Sequence, residues 1–342
     1  METKIDFVVT WLDSSDPVWQ EEYIKYKTEY TKSAYNSMAR YRDWDLFKYW
    51  FRAVEMYAPW VNKVFLVTNG VFPEWINENH PKLELIKHSD YIPQEYLPTF
   101  NSHTIELNIN KIPGLSEHFV YFNDDSFLNA PVNPDYYFKK GLPCDSNIES
   151  LYSLPIYSKQ DGFFISIIKY TCVGVINGHF KRRDSIRGHF NRWFGFHLGF
   201  FGQMSSLLTS LDPLGRFAGF LDRHYEQPFL KSVLDEAWEQ EPEMLSKSCS
   251  RFREDVNLSP YFFRYWQFAT NKFYPVKLRH GAKYILIPEQ IPRVLAALKN
   301  KDIWSLCAND TTKISDEDFE KHKHTVQQAF EAKFPLKSEY EK

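Results

Sequence analysis

The sequence predicts an α/β fold: a Rossmann-like, mainly parallel sheet flanked by helices, with an α-rich second part that closes over the site. Short apolar runs alternate with amphipathic helical segments as far as about residue 131, which is typical of a parallel sheet covered by helices. The apolar run at residues 119–122 is followed directly by Asn123, Asp124 and Asp125. Because open α/β folds bind ligands at the carboxyl ends of their strands, these three polar residues mark the candidate site.

Each element is predicted from the spacing of its apolar residues. Residues 5–10 form the first buried strand, and residues 44–57 form a helix because their apolar residues recur on one stripe. The elements predicted after these are strands at 63–68 and 83–87, a helix at 102–111, a strand at 119–122, irregular strands at 157–176, and helices at 228–238 and 316–334. Ser315 can cap the last helix, whose first turn is acidic as the helix dipole prefers.

Composition excludes several classes of protein. The 342 residues are enough for one large or two modest domains, and a net charge of −3 provides no basic field for nucleic acid. The four cysteines are scattered without a CxxC pair, which argues against structural zinc and against a disulfide framework. We find no run of about eighteen apolar residues that could span a bilayer and no signal segment before the first strand. We therefore expect a cytoplasmic protein.

A hydroxyl and a carboxylate share one face of the helix that precedes the strand at 119–122. Asn101 or Ser102 can cap this helix, and Ser102 and Glu106 are four residues apart, so their side chains point the same way. Free N–H groups at a helix start also attract anions. An isolated pair of aspartates is usually a solvated turn. Beside this helix, Asp124 and Asp125 are a candidate site, where a cation, a base or a hydrogen-bond donor must offset their repulsion.

Several separated blocks of the sequence resemble the regions of the Stealth family, the sugar-phosphate transferases of bacterial capsules and exopolysaccharides. The blocks are residues 5–19, 40–70 with 88–128, 223–256 and 305–311, and they contain the motifs TWLDSSDP, FNDD, HYEQP and CAND. The animal enzyme that adds N-acetylglucosamine-1-phosphate to lysosomal proteins is similar in the same regions. The resemblance implies transfer of hexose-1-phosphate, or N-acetylhexosamine-1-phosphate, from a UDP-sugar to a sugar hydroxyl of a growing polysaccharide. The products would be a phosphodiester and UMP.

The resemblance also implies a donor site formed by the first two blocks. The residues that match the family's nucleotide and donor contacts are Thr10, Trp11, Asp13, Asp16, Ser102, Glu106 and Asn123. Leu12 stands where valine is usual and Ser14 where glycine is common, so this loop departs from the family pattern. Asp124 and Asp125 match the carboxylates next to the donor phosphates and imply a Mg²⁺ (or Mn²⁺) ion. Magnesium is held by one or two carboxylates together with phosphate oxygens and water.

The third block implies the catalytic groups. His224 matches the family's histidine and is the candidate general base, because an unperturbed imidazole titrates near neutral pH. Without the family match, a capping or packing role for this histidine would be equally open. Arg251 and Arg253 bracket the family's essential arginine. Spacing to the pair Glu254 and Asp255 favours Arg251 in one alignment and leaves Arg253 open, and either guanidinium could bind a diphosphate at two oxygens. We expect Asp125 to act together with these groups.

Three further assignments each have an ordinary alternative. Arg187 resembles a second arginine site of the animal enzyme and is a candidate substrate contact, or else an exposed charge. Asn309 and Asp310 match the fourth block and are expected to close the pocket, although the pair alone would indicate a turn. The basic and then aromatic residues 181–201 fit either contact with a membrane surface or a buried aromatic helix with basic flanks.

On this interpretation the chain has three parts with different partners. Residues 1–140 form the α/β core that binds the nucleotide-sugar, residues 141–222 form an insertion for the acceptor or near the membrane, and residues 223–342 form a helical part that completes the site. The expected partners are a UDP-sugar donor and an oligosaccharide acceptor carried on a lipid, with no nucleic acid. The expected location is the cytoplasm, at the inner face of the cell membrane if the membrane contact exists.

Two other functions fit parts of the sequence. A conventional glycosyltransferase would also use a nucleotide-sugar and carboxylates at a strand end, but it would break the sugar C1–O bond and release UDP. A non-catalytic carbohydrate-binding module would account for an aromatic content of 18%, because aromatic rings can stack on sugars. Such a module would have no use for a nucleotide.

Overall fold

The computed structural model describes residues 3–27, 42–150, 162–254, 257–278, 281–311 and 314–342. The strands are β1 (Ile5–Thr10), β2 (Val64–Thr68), β3 (Leu83–Lys87), β4 (His118–Phe122), β5 (Ser126–Leu128), β6 (Phe138–Lys139), β7 (Leu142–Asp145), β8 (Gln227–Leu230), β9 (Tyr274–Pro275), β10 (Gly281–Ile285) and β11 (Ser305–Asn309). The helices are α1 (Pro17–Tyr26), α2 (Phe47–Tyr57), α3 (Ser102–Leu107), α4 (Pro134–Tyr137), α5 (Gly162–His179), α6 (Arg182–Ile186), α7 (Phe190–Trp193), α8 (Gly199–Thr209), α9 (Lys231–Gln240), α10 (Pro242–Ser248), α11 (Tyr261–Ala269), α12 (Ile291–Lys299) and α13 (Asp316–Lys333).

A five-stranded sheet in the order β3-β2-β1-β4-β8 lies at the centre of the fold. β1 pairs in parallel with β2 and with β4, and β2 pairs in parallel with β3. β8 is antiparallel to β4 at one edge. Nearly every residue of β1, β2 and β4 is buried, as in strands covered on both faces. Trp50 of α2 packs edge-on against Phe122 of β4, with ring centroids 5.3 Å apart. The predicted α/β class with a mainly parallel sheet is confirmed.

A smaller sheet in the order β10-β11-β5 is joined to the carboxyl end of β4. β5 follows β4 after the tight turn 123–125 and pairs antiparallel with β11, with Cys307 opposite Ser126. β10 pairs in parallel with β11 on its other side. This pairing brings the fourth sequence block against the acidic turn of the second.

The strands predicted at 157–176 are wrong for the part that the structure describes, because α5 occupies Gly162–His179. Residues 157–161 lie outside the described residues. The β-branched residues of this segment favour a strand, yet Ile168, Cys172 and Ile176 are buried at a spacing of four. That spacing places them on one face of a helix, which packs against α11. Tertiary packing therefore overrides the local preference.

The helix predicted at 228–238 begins late, because Gln227–Leu230 forms β8 and the helix α9 starts at Lys231. Pro228 is tolerated because β8 lies at the edge of the sheet. Other differences are confined to element ends. The helix predicted at 44–57 starts at Phe47, and the helix predicted at 102–111 is α3 followed by a short 3₁₀ turn. The final helix is confirmed, with the Ser315 hydroxyl accepting a hydrogen bond from the Asp318 N–H at 3.1 Å.

One apolar cluster contains residues from all three predicted parts of the chain, from Ile5 of β1 to Tyr340 near the carboxyl end. The assignment of donor, acceptor and membrane roles to those parts stays a prediction. Within the described ranges, no helix is both long and apolar enough to cross a lipid bilayer.

A buried ion pair attaches α6 and α8 to the rest of the fold. Arg182, which belongs to the basic run of the sequence, is only 3% exposed. Its Nε and Nη2 atoms donate to the Glu149 carboxylate at 2.6 to 2.9 Å. The same guanidinium donates to the Ser210 hydroxyl and to the Ser206 carbonyl, both at 2.9 Å. All of these donors and acceptors are thus satisfied without water.

The Glu149→Ala variant should lose about 3–5 kcal/mol of unfolding free energy, because the Arg182 charge would stay buried without its carboxylate. Urea unfolding of the two proteins measures the difference. Glu243→Ala is the matched control, because Glu243 forms an exposed ion pair with Lys247 at 2.7 Å and should cost less than about 1 kcal/mol. Equal losses in the two variants would show that Arg182 reaches water once Glu149 is removed.

Candidate active site

The turn between β4 and β5 places the predicted acidic residues at the carboxyl edge of the central sheet. The Ser126 N–H donates to the Asn123 carbonyl at 3.1 Å and closes this turn. From the neighbouring strand β11, the Ala308 N–H donates to the Asp125 carbonyl at 2.9 Å. The Ser126 hydroxyl also donates to the Asp125 carboxylate at 3.1 Å. The backbone that carries the carboxylates is therefore fixed from both sides.

His224 reaches this turn from the third block of the sequence. Its Nε2 atom lies 3.8 Å from Asp125 Oδ2 and 3.3 Å from Asn123 Nδ2. The antiparallel pairing of β8 with β4 sets Gln227 opposite Tyr121, so the residues just before β8 pass over the end of β4. The sequence-predicted histidine and aspartate thus occupy one site, although Asn123 and His224 are 101 positions apart.

The surroundings of His224 favour its neutral form. Partial burial of the imidazole lowers the pKa of His224, and the positive charges of Lys283, Lys169 and Arg253 lower it further. Asp125 acts in the opposite direction. A neutral imidazole has one unprotonated ring nitrogen, which can accept a proton from a hydroxyl.

A buried carboxyl–phenol pair connects α3 with the acidic turn. The Tyr121 hydroxyl lies 3.0 Å from Glu106 Oε1, 2.8 Å from Asn123 Oδ1 and 3.3 Å from Thr10 Oγ1. One phenol proton cannot serve both the carboxylate and the amide oxygen. A protonated Glu106 could donate to the phenol oxygen, which would leave the phenol proton for Asn123.

The pKa of Glu106 agrees with that arrangement. Burial raises the pKa of Glu106 to about 7, although Arg253 and the hydrogen bonds from Tyr121 and Ser102 act to lower it. Near neutral pH the two protonation states of Glu106 therefore have similar populations. The group can exchange a proton at the pH of a cell.

The two candidate arginines have different contacts in the structure. Arg253 Nη2 donates to the Ser102 hydroxyl at 2.6 Å, so its guanidinium lies beside α3 and within electrostatic reach of His224. Arg251 instead donates to the carbonyls of Pro98 and Leu97, at 3.0 and 3.3 Å. Its guanidinium also lies 4.1 Å from the centre of the Tyr26 ring. Arg251 therefore holds the loop before α3, and Arg253 faces the site.

A cavity of about 190 Å³ opens beside the acidic turn. Trp11 forms part of its wall and stacks on Phe47, with ring centroids 5.8 Å apart and planes at 7°. The sequence-predicted residues that line the cavity are Trp11, Asp124, Asp125, Asn309 and Asp310. Arg42 and Asp43 also line it. Beyond their place in the second block, no sequence signal distinguishes these two residues from the rest of their polar loop.

Carboxylates crowd this cavity. Desolvation is the largest cause of a rise in the pKa of Asp124 to about 7, and the charges of Asp125 and Asp43 add to it. The Asp124 side chain nevertheless opens to the solvent in the cavity. Among the described residues, none donates a hydrogen bond to the buried Asp310 Oδ2, although Arg42 Nε lies 3.4 Å from it. Crowded oxygens open to solvent are a donor set that suits a hard divalent cation.

Cys307 brings a softer ligand to the same place. Its thiol donates to Asp125 Oδ2 at 3.5 Å, and one ligand atom each from Asp125, His224 and Cys307 lie within 4.8 Å of one another. Burial raises the pKa of the Cys307 thiol well above its ordinary value. The protonated thiol is a poor metal ligand, so Asp124 and Asp125 fit Mg²⁺ or Mn²⁺ better than this group does.

Seven predicted substrate contacts are not among the described residues that line the cavity. Thr10, Ser102, Glu106 and Asn123 belong to the hydrogen-bonded groups beside it, and the other three are Asp13, Asp16 and Arg187. Asp16 caps α1 by accepting from two backbone N–H groups, at 3.1 and 3.2 Å. Asp13 accepts from the N–H and hydroxyl of Ser15, at 2.8 and 2.6 Å. The Arg187 side chain is 81% exposed and lies 3.6 Å from Asp184, as the exposed-charge alternative requires. Substrate contacts by these three residues, as by the other predicted site residues, stay predictions.

An α/β fold with a histidine, an arginine and crowded carboxylates at one sheet edge defines an enzyme site, and comparison with known proteins identifies its family. Residues 40–144 match the family described as Stealth protein CR2, conserved region 2. The capsular polysaccharide phosphotransferase WcwK of Streptococcus pneumoniae is 39% identical over 100% of both chains. The receptor polysaccharide phosphotransferase WefC of Streptococcus oralis is 38% identical over 92% of this chain and 93% of that protein. The exopolysaccharide phosphotransferase cps2G of Lactiplantibacillus plantarum is 37% identical over 99% and 96%.

The chain belongs to the Stealth family, and it is a transferase. Similarity to solved structures is more distant. The galactosyltransferase LgtC, in complex with donor and acceptor sugar analogues, aligns with 96% of this chain and 95% of its own at 7% identity and a TM-score of 0.39. The bifunctional glycosyltransferase WbbM aligns with 97% of this chain and 52% of its own at 9% identity and a TM-score of 0.39. These distant alignments do not bear on the chemistry.

The Glu106→Gln variant should unfold less readily than the wild type above about pH 7. Because the pKa of folded Glu106 is about 7 and its ordinary value is 4.5, ionisation opposes folding as the pH rises through this window. Glutamine cannot ionise, so the variant should gain on the order of 2 kcal/mol at about pH 8 and nothing at about pH 4.5. Urea unfolding at the two pH values measures this, with the exposed Glu95→Gln as control. A variant that is less stable than the wild type at the higher pH would mean that Arg253 keeps Glu106 ionised.

Proposed function

We propose that this transferase moves hexose-1-phosphate, or N-acetylhexosamine-1-phosphate, from a UDP-sugar to a sugar hydroxyl of a growing capsular or exopolysaccharide. The products are a sugar–phosphate–sugar diester and UMP. The observation that carries the proposal is the meeting of the second and third sequence blocks at one sheet edge, where His224 lies 3.8 Å from Asp125 and Arg253 lies 2.6 Å from Ser102. The names of the relatives, all polysaccharide phosphotransferases, support the reaction class.

The proposed reaction is a displacement at the β-phosphorus of the donor. His224 Nε2 takes the proton of the acceptor hydroxyl, and the acceptor oxygen forms a bond to the β-phosphorus. The bond from that phosphorus to the bridging oxygen breaks, and the bridging oxygen leaves on UMP. The lowered pKa of His224 keeps the imidazole able to accept the proton near neutral pH.

The charges around the cavity suit the diphosphate of such a donor. Arg253 is the proposed contact with the phosphate oxygens, because a guanidinium can bind two of them at once. Ser102 and Glu106 hold Arg253 against α3. Trp11 offers an aromatic wall on which a base or a sugar could stack. Asn309 and Asp310 close the cavity from β11 and the residue after it.

Asp124 and Asp125 are the residues that we propose to hold Mg²⁺ or Mn²⁺. The bound cation would neutralise phosphate oxygens of the donor. Desolvation and the neighbouring carboxylates of Asp125 and Asp43 raise the pKa of Asp124 to about 7, and a cation would offset this repulsion. We further propose that the acceptor is an oligosaccharide carried on a lipid, so that the enzyme works in the cytoplasm at the inner face of the cell membrane.

A donor labelled with ³²P at the β-phosphate distinguishes the proposal from a conventional glycosyltransferase. We expect the label in the polysaccharide and unlabelled UMP in solution, because the phosphoanhydride bond breaks. His224→Ala serves as the control protein and should be at least about 100-fold slower, as expected on loss of a general base. Label recovered in free UDP would replace our proposal with glycosyl transfer. If the UDP-sugar with Mg²⁺ gives neither turnover nor a thermal shift, a carbohydrate-binding module becomes the better description.

The two arginines should respond differently to substitution. Arg253→Lys keeps the charge but loses the bidentate fork, so we expect kcat to fall by about 10³-fold or more with little change in unfolding free energy. Arg251→Lys should instead lower stability, because two backbone carbonyls and the Tyr26 ring lose their partner, while kcat of the folded enzyme falls by less than about tenfold. Steady-state kinetics and urea unfolding of both variants test this. The reverse order of effects on kcat would return the catalytic assignment to Arg251.

A further inference from the structure

Helix α8 is inverted: its large apolar side chains face solvent and its small side chains face the protein. Gly202, Ser206 and Thr209 are its buried residues. Phe200 is 74% exposed and Phe201 is 86% exposed. The exposed apolar residues of this region, here called the α8 face, are Phe196, Phe200, Phe201, Met204, Leu207, Leu208, Leu211 and Leu214. A helix on the surface of a water-soluble domain has the opposite arrangement.

Close packing fixes α8 in this orientation. A Cβ atom added to Gly202 would lie 2.9 Å from Leu198 Cβ and 3.2 Å from Ile148 Cγ1, so no larger residue fits there without a shift. The Ser205 hydroxyl donates to the Glu149 carbonyl at 2.7 Å, and Thr209 Oγ1 donates to the Glu149 carboxylate at 3.0 Å. Rotating the helix to hide its phenylalanines would break these bonds. The outward display of apolar side chains is therefore built into the fold.

The charges around the α8 face are mostly positive. The sequence has no acidic residue from 185 to 211, and the two that flank this stretch are paired, Asp184 with Arg187 and Asp212 with Arg216. Lys181 and Arg183 are exposed. The Arg183 stem lies 3.6 Å from the Cβ position of Gly215, which places its charge beside the turn that follows α8. An anionic bilayer has acyl chains beneath negatively charged headgroups. Apolar side chains next to basic side chains suit both of these layers.

We propose that the α8 face inserts into the headgroup and upper acyl region of an anionic lipid bilayer. This placement refines the membrane contact that the sequence predicts for residues 181–201. Trp193 and Arg182 are buried, but the exposed phenylalanines contradict the alternative of a wholly buried aromatic helix, and the face extends to Leu214. The inference depends on the exposed side chains and their charges, and it does not depend on the proposed chemistry. A bilayer-bound enzyme would, however, meet an acceptor carried on a lipid.

Vesicle flotation of the full chain tests the proposal. The vesicles are phosphatidylcholine alone and phosphatidylcholine mixed with phosphatidylglycerol. We expect binding to the anionic vesicles, weakened by salt because exposed charges are screened. The double variant Phe200→Ser with Phe201→Ser should reduce bound protein at least tenfold. Lys181→Glu with Arg183→Glu should reduce binding to anionic vesicles and leave the weak binding to neutral ones unchanged.

The matched control is Ile24→Ser with Leu336→Ser, two apolar residues outside the α8 face that are 71% and 74% exposed. This variant should bind vesicles as the wild type does.

Size-exclusion chromatography with light scattering tests the alternative that a second copy of the chain, and not a membrane, covers the α8 face. A wild-type dimer that becomes monomeric in the Phe200/Phe201 variant, without vesicle binding by either protein, would replace the membrane with a second copy of the chain. Equal vesicle binding by the Phe200/Phe201 variant and its control would also overturn the proposal. Failure of the transferase assay alone leaves these outcomes unchanged, so the two proposals are tested separately.

Discussion

Strand pairing on both sides of one turn is the constraint on which the site depends. The turn 123–125 lies between β4, which pairs with β8, and β5, which pairs with β11. The first pairing brings the residues before β8, including His224, over the end of β4, and the second brings Cys307 and Asn309 alongside. Backbone hydrogen bonds within sheets are strong and directional, so they fix these positions without help from the functional side chains. Side chains that are costly to bury can then be placed at the edge of the sheet.

Those side chains have shifted pKa values. Burial raises the pKa of Glu106 to about 7 and lowers the pKa of His224, while desolvation together with the charges of Asp125 and Asp43 raises the pKa of the solvent-facing Asp124 to about 7. Each group therefore resists its ordinary charge state. Such shifts cluster where catalytic groups must exchange protons near neutral pH. Elsewhere the protein compensates for buried charge with full pairing, as between Arg182 and Glu149. Shifted pKa values also occur away from the site, at Glu149 and at Lys333, so the clustering of Glu106, Asp124 and His224 around one turn is what distinguishes the site.

The sequence predicted what local patterns determine and missed what long-range packing determines. The apolar runs of β1 and β4 and the capped helix α13 were confirmed because periodicity and caps are local signals. The helix α5 was missed because its β-branched residues favour a strand, and only packing against α11 reverses that preference. The sequence could not show which of Arg251 and Arg253, two positions apart, faces the site. In the structure, Phe252 lies between the two arginines and stacks on Phe100, with ring centroids 5.0 Å apart. The two guanidinium groups contact different neighbours, Ser102 for Arg253 and the carbonyls of Leu97 and Pro98 for Arg251.

One short segment links the α8 face to His224. At its start, Asp145 accepts hydrogen bonds from Arg264 Nε and from Gln227 Nε2, both at 2.8 Å, and Gln227 begins the strand that positions His224. Four residues later, Glu149 holds α8 through Thr209 and the buried Arg182. Because both sets of contacts come from residues 145–149, the helix cannot move relative to the histidine without breaking buried ion pairs. If the α8 face enters a bilayer and His224 is the base, as we propose, the depth of insertion sets the height of the site above the membrane, where a lipid-linked acceptor would be held.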